Sequence, residues 1–359
     1  MTINKLSRTN IQTLVAYPTF DKDLRDGDVW LNFNEYPEAV PFELTRQDMN
    51  RYPEPQPLEL ARRYARYAGV SPDQVIVTRG GDEGIELVIR AFCEPREDAI
   101  IICPPTYGMY EVSADTLGVE CKKVPTLPQK GWQLDVEGIR DALDRVKVIF
   151  ICTPNNPTGQ LIDPTDIKAV LDMARGRAVV VVDEAYIEFC PQTSVVSWLA
   201  EYPHLAIIRT MSKAFALAGL RCGYVLGNAP LIEVLTKTLP PYAVPSPVSD
   251  IAEQALSEEG VAAMRERVSQ LMENRRYLVE SLKAIDGIEA VYETEANFVL
   301  MRLPRAQMMF DELKANRIFI RNQQKQVSLN GCLRVSVGTR SECERVIEMV
   351  RALVRKVES

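Results

Sequence analysis

Four consecutive valines, Val179 to Val182, constrain this chain more than any other stretch. The run is too short to span a membrane and too apolar for a strand with one wet face, so it reads as a central parallel strand buried on both sides. Similar runs flank it. Val75-Ile76-Val77, Ala99-Ile100-Ile101-Ile102, Val148-Ile149-Phe150-Ile151 and Leu205-Ala206-Ile207-Ile208 are separated by helix-length stretches such as Ile167 to Ala174. Strand and helix in alternation predict an α/β fold: a three-layer large domain whose mainly parallel sheet carries helices on both sides, completed by Gly223-Tyr224-Val225-Leu226.

In open sheets of this kind chemistry collects at the carboxyl edge of the strands. The valine run ends there on Asp183, followed by Glu184-Ala185-Tyr186. Leu205-Ala206-Ile207-Ile208 leads to Ser212-Lys213 and then to Arg221, and Val148-Ile149-Phe150-Ile151-Cys152 runs into Thr153-Pro154-Asn155-Asn156-Pro157-Thr158-Gly159. A lysine so placed can form a Schiff base with an aldehyde, while Ser212 and Arg221 offer a hydroxyl and a fixed cation to a phosphate. The turn Gly80-Gly81-Asp82-Glu83-Gly84 opens a helix. Glycines ahead of a helix expose backbone N–H groups that favour an anion, so Gly81, Asp82 and Glu83 are expected to meet that phosphate through their backbone. A carboxylate at Asp183 can keep a pyridine nitrogen protonated, and Tyr186 and the proline-fixed Asn156 can reach a ring oxygen. Tyr107, held after Pro104-Pro105, supplies a flat neighbour for a ring face. Together these groups fit pyridoxal 5'-phosphate. Taken singly, each has an ordinary alternative: a surface lysine, a helix-capping aspartate or glycine, an Asn-Pro turn. The glycine spacing is not Gly-x-Gly-x-x-Gly, which argues against a dinucleotide site.

Asn155-Asn156-Pro157-Thr158-Gly159, Asp183-Glu184-Ala185-Tyr186, Ser212-Lys213 and Arg221, in that order, resemble the fold-type I pyridoxal-phosphate aminotransferases of class II. Within that group the chain is similar to the histidinol-phosphate aminotransferases. The likeness is carried by Asn34-Glu35-Tyr36-Pro37, Arg51-Tyr52-Pro53, Thr78-Arg79-Gly80-Gly81-Asp82-Glu83-Gly84, Pro104-Pro105-Thr106-Tyr107-Gly108-Met109-Tyr110 and Leu333-Arg334-Val335-Ser336-Val337-Gly338-Thr339. The resemblance implies transamination between histidinol phosphate and 2-oxoglutarate, giving imidazole-acetol phosphate and glutamate, with Lys213, Asp183 and Tyr186 catalytic. It also implies a homodimer in which Tyr52 reaches the neighbouring subunit's cofactor phosphate, and a role for Tyr17 at the substrate's phosphate. Arg321 and Arg334 are implied as anion-binding arginines, Arg334 for an α-carboxylate. Arg334 has a reading of its own: between apolar residues on a strand, a guanidinium should meet an anion, either bound or internal. Threonine-phosphate decarboxylase and a broad aromatic aminotransferase, both of this fold, are the alternatives. A non-catalytic pyridoxal-phosphate sensor is disfavoured, because the chain leaves no room ahead of Tyr17 for a DNA-binding domain.

Composition removes other classes. A net charge of −7 argues against nucleic acid as the main partner. His204 is the only histidine, so no metal site or Ser-His-Asp triad is expected. Eight cysteines without Cys-x-x-Cys spacing read as reduced core residues of a cytoplasmic protein, and no apolar run approaches the roughly 20 residues of a spanning helix. Residues 1–28 are expected to form a polar arm of turns rather than a packed element. The large domain is expected over 29–244, with its first strand, Val29-Trp30-Leu31-Asn32-Phe33, open to assignment to the smaller domain. Proline clusters at Pro240-Pro241 and Pro245-Ser246-Pro247 mark the boundary to a smaller α+β domain, 245–359, which opens with a long amphipathic helix from about Glu259 to Ala284.

Overall fold

The structure, a computed structural model, describes residues 3–14, 27–46 and 49–358. After a first short strand, β1 (Val29–Trp30), come β2 (Val75–Thr78), β3 (Ala99–Ile102), β4 (Glu120–Lys123), β5 (Val146–Cys152), β6 (Val179–Asp183), β7 (Leu205–Thr210) and β8 (Gly223–Gly227). The last seven form one sheet in the order β2-β8-β7-β6-β5-β3-β4. Neighbours are parallel except at β8, which runs antiparallel to both β2 and β7. The connection from β7 to β8 holds only a 3-10 turn, Ala218–Leu220, and no crossover helix, so the chain must return antiparallel. The strand expected to complete the sheet therefore lies inside it.

Alternate residues of the central strands feed two different cores. Val180, Val182, Ile149, Ile151 and Ile207 pack with the helices Leu58–Ala68 and Pro164–Ala174. Val179, Val181, Phe150 and Ile208 pack with Gly81–Phe92, Met109–Leu117 and Ala229–Thr236. Both faces are covered, which is why these strands read as continuous apolar runs rather than as alternating ones. Register aligns Cys152 with Asp183, Asp183 with Ile208 and Thr210 with Gly223, so the ends of β5, β6 and β7 and the start of β8 share one edge.

A second sheet follows, built from β9 (Ala290–Val291), β10 (Phe298–Arg302), β12 (Arg321–Asn322) and β13 (Cys332–Ser336) in the antiparallel order β12-β13-β10-β9. Strand β11 (Ile318–Phe319) pairs instead with β1, in parallel, so the chain's first strand lies with the C-terminal elements. The long helix Glu258–Lys283 packs against the last, Arg340–Glu358. Phe298, Val335 and Val346 belong to the same apolar cluster as Val180 and Val182, so 29–244 and 245–359 share a core.

The N-terminal arm, expected to be turns alone, departs from that expectation. Within the N-terminal arm, Thr9–Thr13 is helical, and Arg8 and Asn10 donate to the Leu117 and Asp115 carbonyls at 2.9 and 2.6 Å. Those carbonyls belong to the last turn of the helix Met109–Leu117, where acceptors stay open to further donors, so polar side chains rather than an apolar face dock the arm. No helix among the described residues is long and apolar enough to cross a membrane.

Candidate active site

A cavity of about 400 Å³ opens at the shared strand edge. One hairpin supplies its lysine and its cationic end. Thr210, at the end of β7, donates to Ser212 Oγ at 2.9 Å, and Lys213 Nζ donates to the Phe33 carbonyl at 2.7 Å. Arg221, just before β8, reaches back to Ser212 Oγ at 3.4 Å and to Asp82 Oδ2 at 3.1 Å. Beneath it the turn ahead of helix Gly81–Phe92 admits no side chain. A Cβ on Gly80, whose φ is +79°, would lie 2.6 Å from Arg221, and one on Gly223 would lie 2.5 Å from the Gly80 carbonyl carbon. No side chain caps this helix start, so its first N–H groups face the same end as Arg221. Asp82 accepts from the Tyr107 hydroxyl at 2.9 Å.

Asp183 marks the buried end. Its Oδ2 accepts from the Tyr110 hydroxyl at 2.6 Å and its Oδ1 from Ala185 N–H at 3.0 Å. Burial pushes this carboxyl up to about 6, against the pull of those two hydrogen bonds. Its chain neighbour Glu184 faces away and grips Arg209 of β7 at 2.8 Å, both side chains being buried. Tyr186, its phenol raised mainly by burial, accepts from Asn34 Nδ2 at 2.9 Å.

The second sheet closes the cavity with cations. Arg334 donates to the Asn156 side-chain oxygen and, at 2.6 Å, to the Asn32 carbonyl. Cross-strand register sets Arg321 opposite it, with its guanidinium 5.5 Å from the centre of the Phe33 ring. Burial first, and then the Arg334 charge, push the Lys213 ammonium down to about 8, so a neutral amine is accessible near neutral pH.

The cavity gathers Gly81, Asp82, Tyr107, Asn156, Asp183, Tyr186, Ser212, Lys213, Arg221, Arg321 and Arg334. Glu83 stays outside: its carboxylate accepts from Arg79 N–H at 2.6 Å and from its guanidinium. Tyr52 also lies elsewhere, 82% exposed and stacked on Tyr242 at 4.8 Å. Tyr17 falls outside the described residues. Sequence reasoning gave no site role to Tyr110, Asn34, Gln323 or Gln326. Tyr110 carried a signal, standing three residues after Tyr107 at a helix start and so one turn along the same face. Among the described residues no cluster of His, Cys, Asp and Glu could hold a metal.

The donor set fits pyridoxal phosphate: a buried carboxylate for a ring nitrogen, an amide and a phenol for a ring oxygen, and a side-chain-free turn with a cation and a hydroxyl for a phosphate. Comparison with known proteins agrees. A profile of the family "Aminotransferase class I and II" matches residues 18–350. The chain is 58% identical over 352 residues to a histidinol-phosphate aminotransferase of Escherichia coli, covering 98% of each. Among solved structures it resembles the histidinol-phosphate aminotransferase of Clostridium acetobutylicum, with a TM-score of 0.83, 25% identity and coverage of 91% of this chain and 99% of that one. It shares its fold with the Sinorhizobium meliloti histidinol-phosphate aminotransferase solved in complex with pyridoxal 5'-phosphate, with a TM-score of 0.81, 22% identity and coverage of 92% and 91%.

Proposed function

This chain belongs to the class I and II aminotransferases, and we propose that it uses pyridoxal phosphate to move the amino group of L-histidinol phosphate to 2-oxoglutarate, in the biosynthesis of histidine. The products are imidazole-acetol phosphate and L-glutamate. The near-full-length relation to the Escherichia coli enzyme carries this reading.

When bound, pyridoxal phosphate supplies an electron sink that lets the substrate's Cα–H bond break. Asp183 would hold its ring nitrogen protonated, Asn156 and Tyr186 would hold its ring oxygen, and Tyr107 would offer its ring a flat neighbour. The backbone N–H groups of Gly81, Asp82 and Glu83, with Ser212 and Arg221, would hold its phosphate. Lys213 would hold its aldehyde, and the lysine amine would move the proton at the substrate's Cα. A side-chain amine does this work best when its pKa lies near the working pH, and burial beside Arg334 favours that for Lys213. Both substrates carry an anion for Arg321 and Arg334.

A homodimer is part of the proposal. Tyr52 is far more exposed than a buried aromatic, and Leu44, Met49, Leu58 and Tyr242 are exposed as well, which suits a surface covered by a second copy. In that arrangement Tyr52 reaches the neighbouring subunit's cofactor phosphate. Tyr17 assists at the substrate's phosphate. Eight free cysteines suit the reducing cytoplasm.

The test is to supply the purified, cofactor-loaded protein with histidinol phosphate and 2-oxoglutarate and to measure glutamate. Release of carbon dioxide from phosphothreonine, or faster turnover of phenylalanine than of histidinol phosphate, would replace the proposal with one of its alternatives. Borohydride treatment should fix one pyridoxyl group to the chain at Lys213 and none in Lys213→Ala.

A further inference from the structure

Two cavity residues, Gln323 and Gln326, have no part in the roles given above. Residues two apart in an extended segment face the same side. The ladder continues past β12, with Gln323 N–H donating to the Cys332 carbonyl at 3.1 Å, so Gln323 shares the cavity side with Arg321. It is only 6% exposed. Its Oε1 accepts from Gln326 Nε2 at 3.1 Å, joining the two amides. Backbone bonds from Gln326 to Gln323, Leu329 to Gln326 and Cys332 to Leu329, at 3.0 to 3.2 Å, hold the intervening turn. Among the described residues, Gln323 Nε2 and Gln326 Oε1 make no other hydrogen bond, which leaves the joined pair with one donor end and one acceptor end.

We infer that the Gln323–Gln326 amide pair recognises the substrate's neutral imidazole ring, an inference that rests on the histidinol-phosphate reading. A neutral imidazole has one N–H donor and one bare nitrogen acceptor, the complement of the two open amide ends. Turning both amides over exchanges the ends but keeps one of each, so the pair accommodates either ring tautomer. The neighbouring arginines cannot do this, since a guanidinium only donates and repels a protonated ring. A phenyl ring satisfies neither amide end. Sites built to hydrogen-bond a substrate discriminate strongly against analogues that leave buried polar groups unpaired.

The experiment compares L-histidinol phosphate with L-phenylalaninol phosphate, the same amino alcohol phosphate bearing a phenyl ring, by kcat/KM on the loaded enzyme. In Gln326→Leu and Gln323→Leu the preference for the imidazole substrate should fall by about 10- to 100-fold, through the histidinol phosphate arm. The phenylalaninol phosphate arm reports the integrity of the fold and of the phosphate site. A preference within about threefold of the unmodified chain's overturns the inference. So does an equal fall for both substrates, which would give the pair to the phosphate or to the fold. If the unmodified chain does not turn over histidinol phosphate at all, the underlying reading fails and this inference with it. Because Gln323 is buried, the variant at the half-buried position, Gln326→Leu, decides the matter if Gln323→Leu does not fold.

Discussion

Replacing Tyr110 by phenylalanine should move the acid limb of the reaction without disturbing the fold. Tyr110 is fully buried and its ring stacks on Phe150 with centroids 4.7 Å apart, contacts that phenylalanine keeps. Only the hydroxyl that donates to Asp183 at 2.6 Å is lost. A buried hydrogen bond to a charged acceptor stabilises the anion by roughly 1.5 to 3 kcal/mol, which raises the Asp183 midpoint by about one to two pH units. In its proposed role Asp183 must be ionised to keep the ring nitrogen charged. The acidic limb of a kcat–pH profile, measured under saturating substrate, should therefore shift upward by that amount. Activity should fall on the acid side while the rates converge at alkaline pH. A limb that stays in place, or a loss equal at every pH, would refute the reasoning. The same carboxyl has a signature in protein stripped of cofactor. Its folded-state value of about 6 lies above the ordinary 3.8 of an unfolded aspartate, so its contribution to stability is complete below about pH 4. That contribution, roughly 3 kcal/mol, is lost as pH rises through about 6, and Tyr110→Phe should carry the loss to higher pH.

Three further outcomes are expected. With Lys213 pushed down to about 8, the rate at which stripped protein takes up pyridoxal phosphate should rise with pH to half its maximum near 8. Arg334→Gln removes a charge that disfavours the ammonium and should raise that midpoint, and an unmoved midpoint in stopped-flow absorbance would remove Arg334 as a cause. Arg209→Met leaves the Glu184 carboxylate buried without its cation and should cost about 3 to 5 kcal/mol in urea unfolding, whereas a loss below about 1 kcal/mol would show that the pair is not structural. Gly80→Ala forces a Cβ against Arg221 at a positive φ and should weaken cofactor retention about tenfold, the factor for ~1.4 kcal/mol, so equilibrium dialysis showing unchanged affinity would contradict the close approach described here.

The large sheet was legible because strands buried on both faces must be apolar throughout, and Val179 to Val182 satisfy no other environment. The residues at the strand ends were legible because a lysine, an aspartate and an asparagine that end such runs fall at one edge whatever the helices do between them. Other features depend on contacts between distant segments. Strand β8 runs antiparallel because its connection is too short for a crossover, a matter of length rather than of composition. Asn34 reaches Tyr186 across 152 residues of chain, and Gln323 is placed by pairing with β13, neither of which leaves a local pattern. The helix Thr9–Thr13 is short and has no buried face, so it has no apolar periodicity to betray it.

The hairpin from β7 to β8 sets the order in which the site can fail. Ser212 and Arg221 meet across only nine residues, so the phosphate end is a neighbourhood of the chain that closes cheaply and survives loosening elsewhere. Arg334 and Asn156 meet across 178 residues, and their contact exists only while the second sheet stays docked. Mild denaturant or heat should accordingly blunt the enzyme's hold on its substrate first, raising KM in protein that still keeps its vitamin.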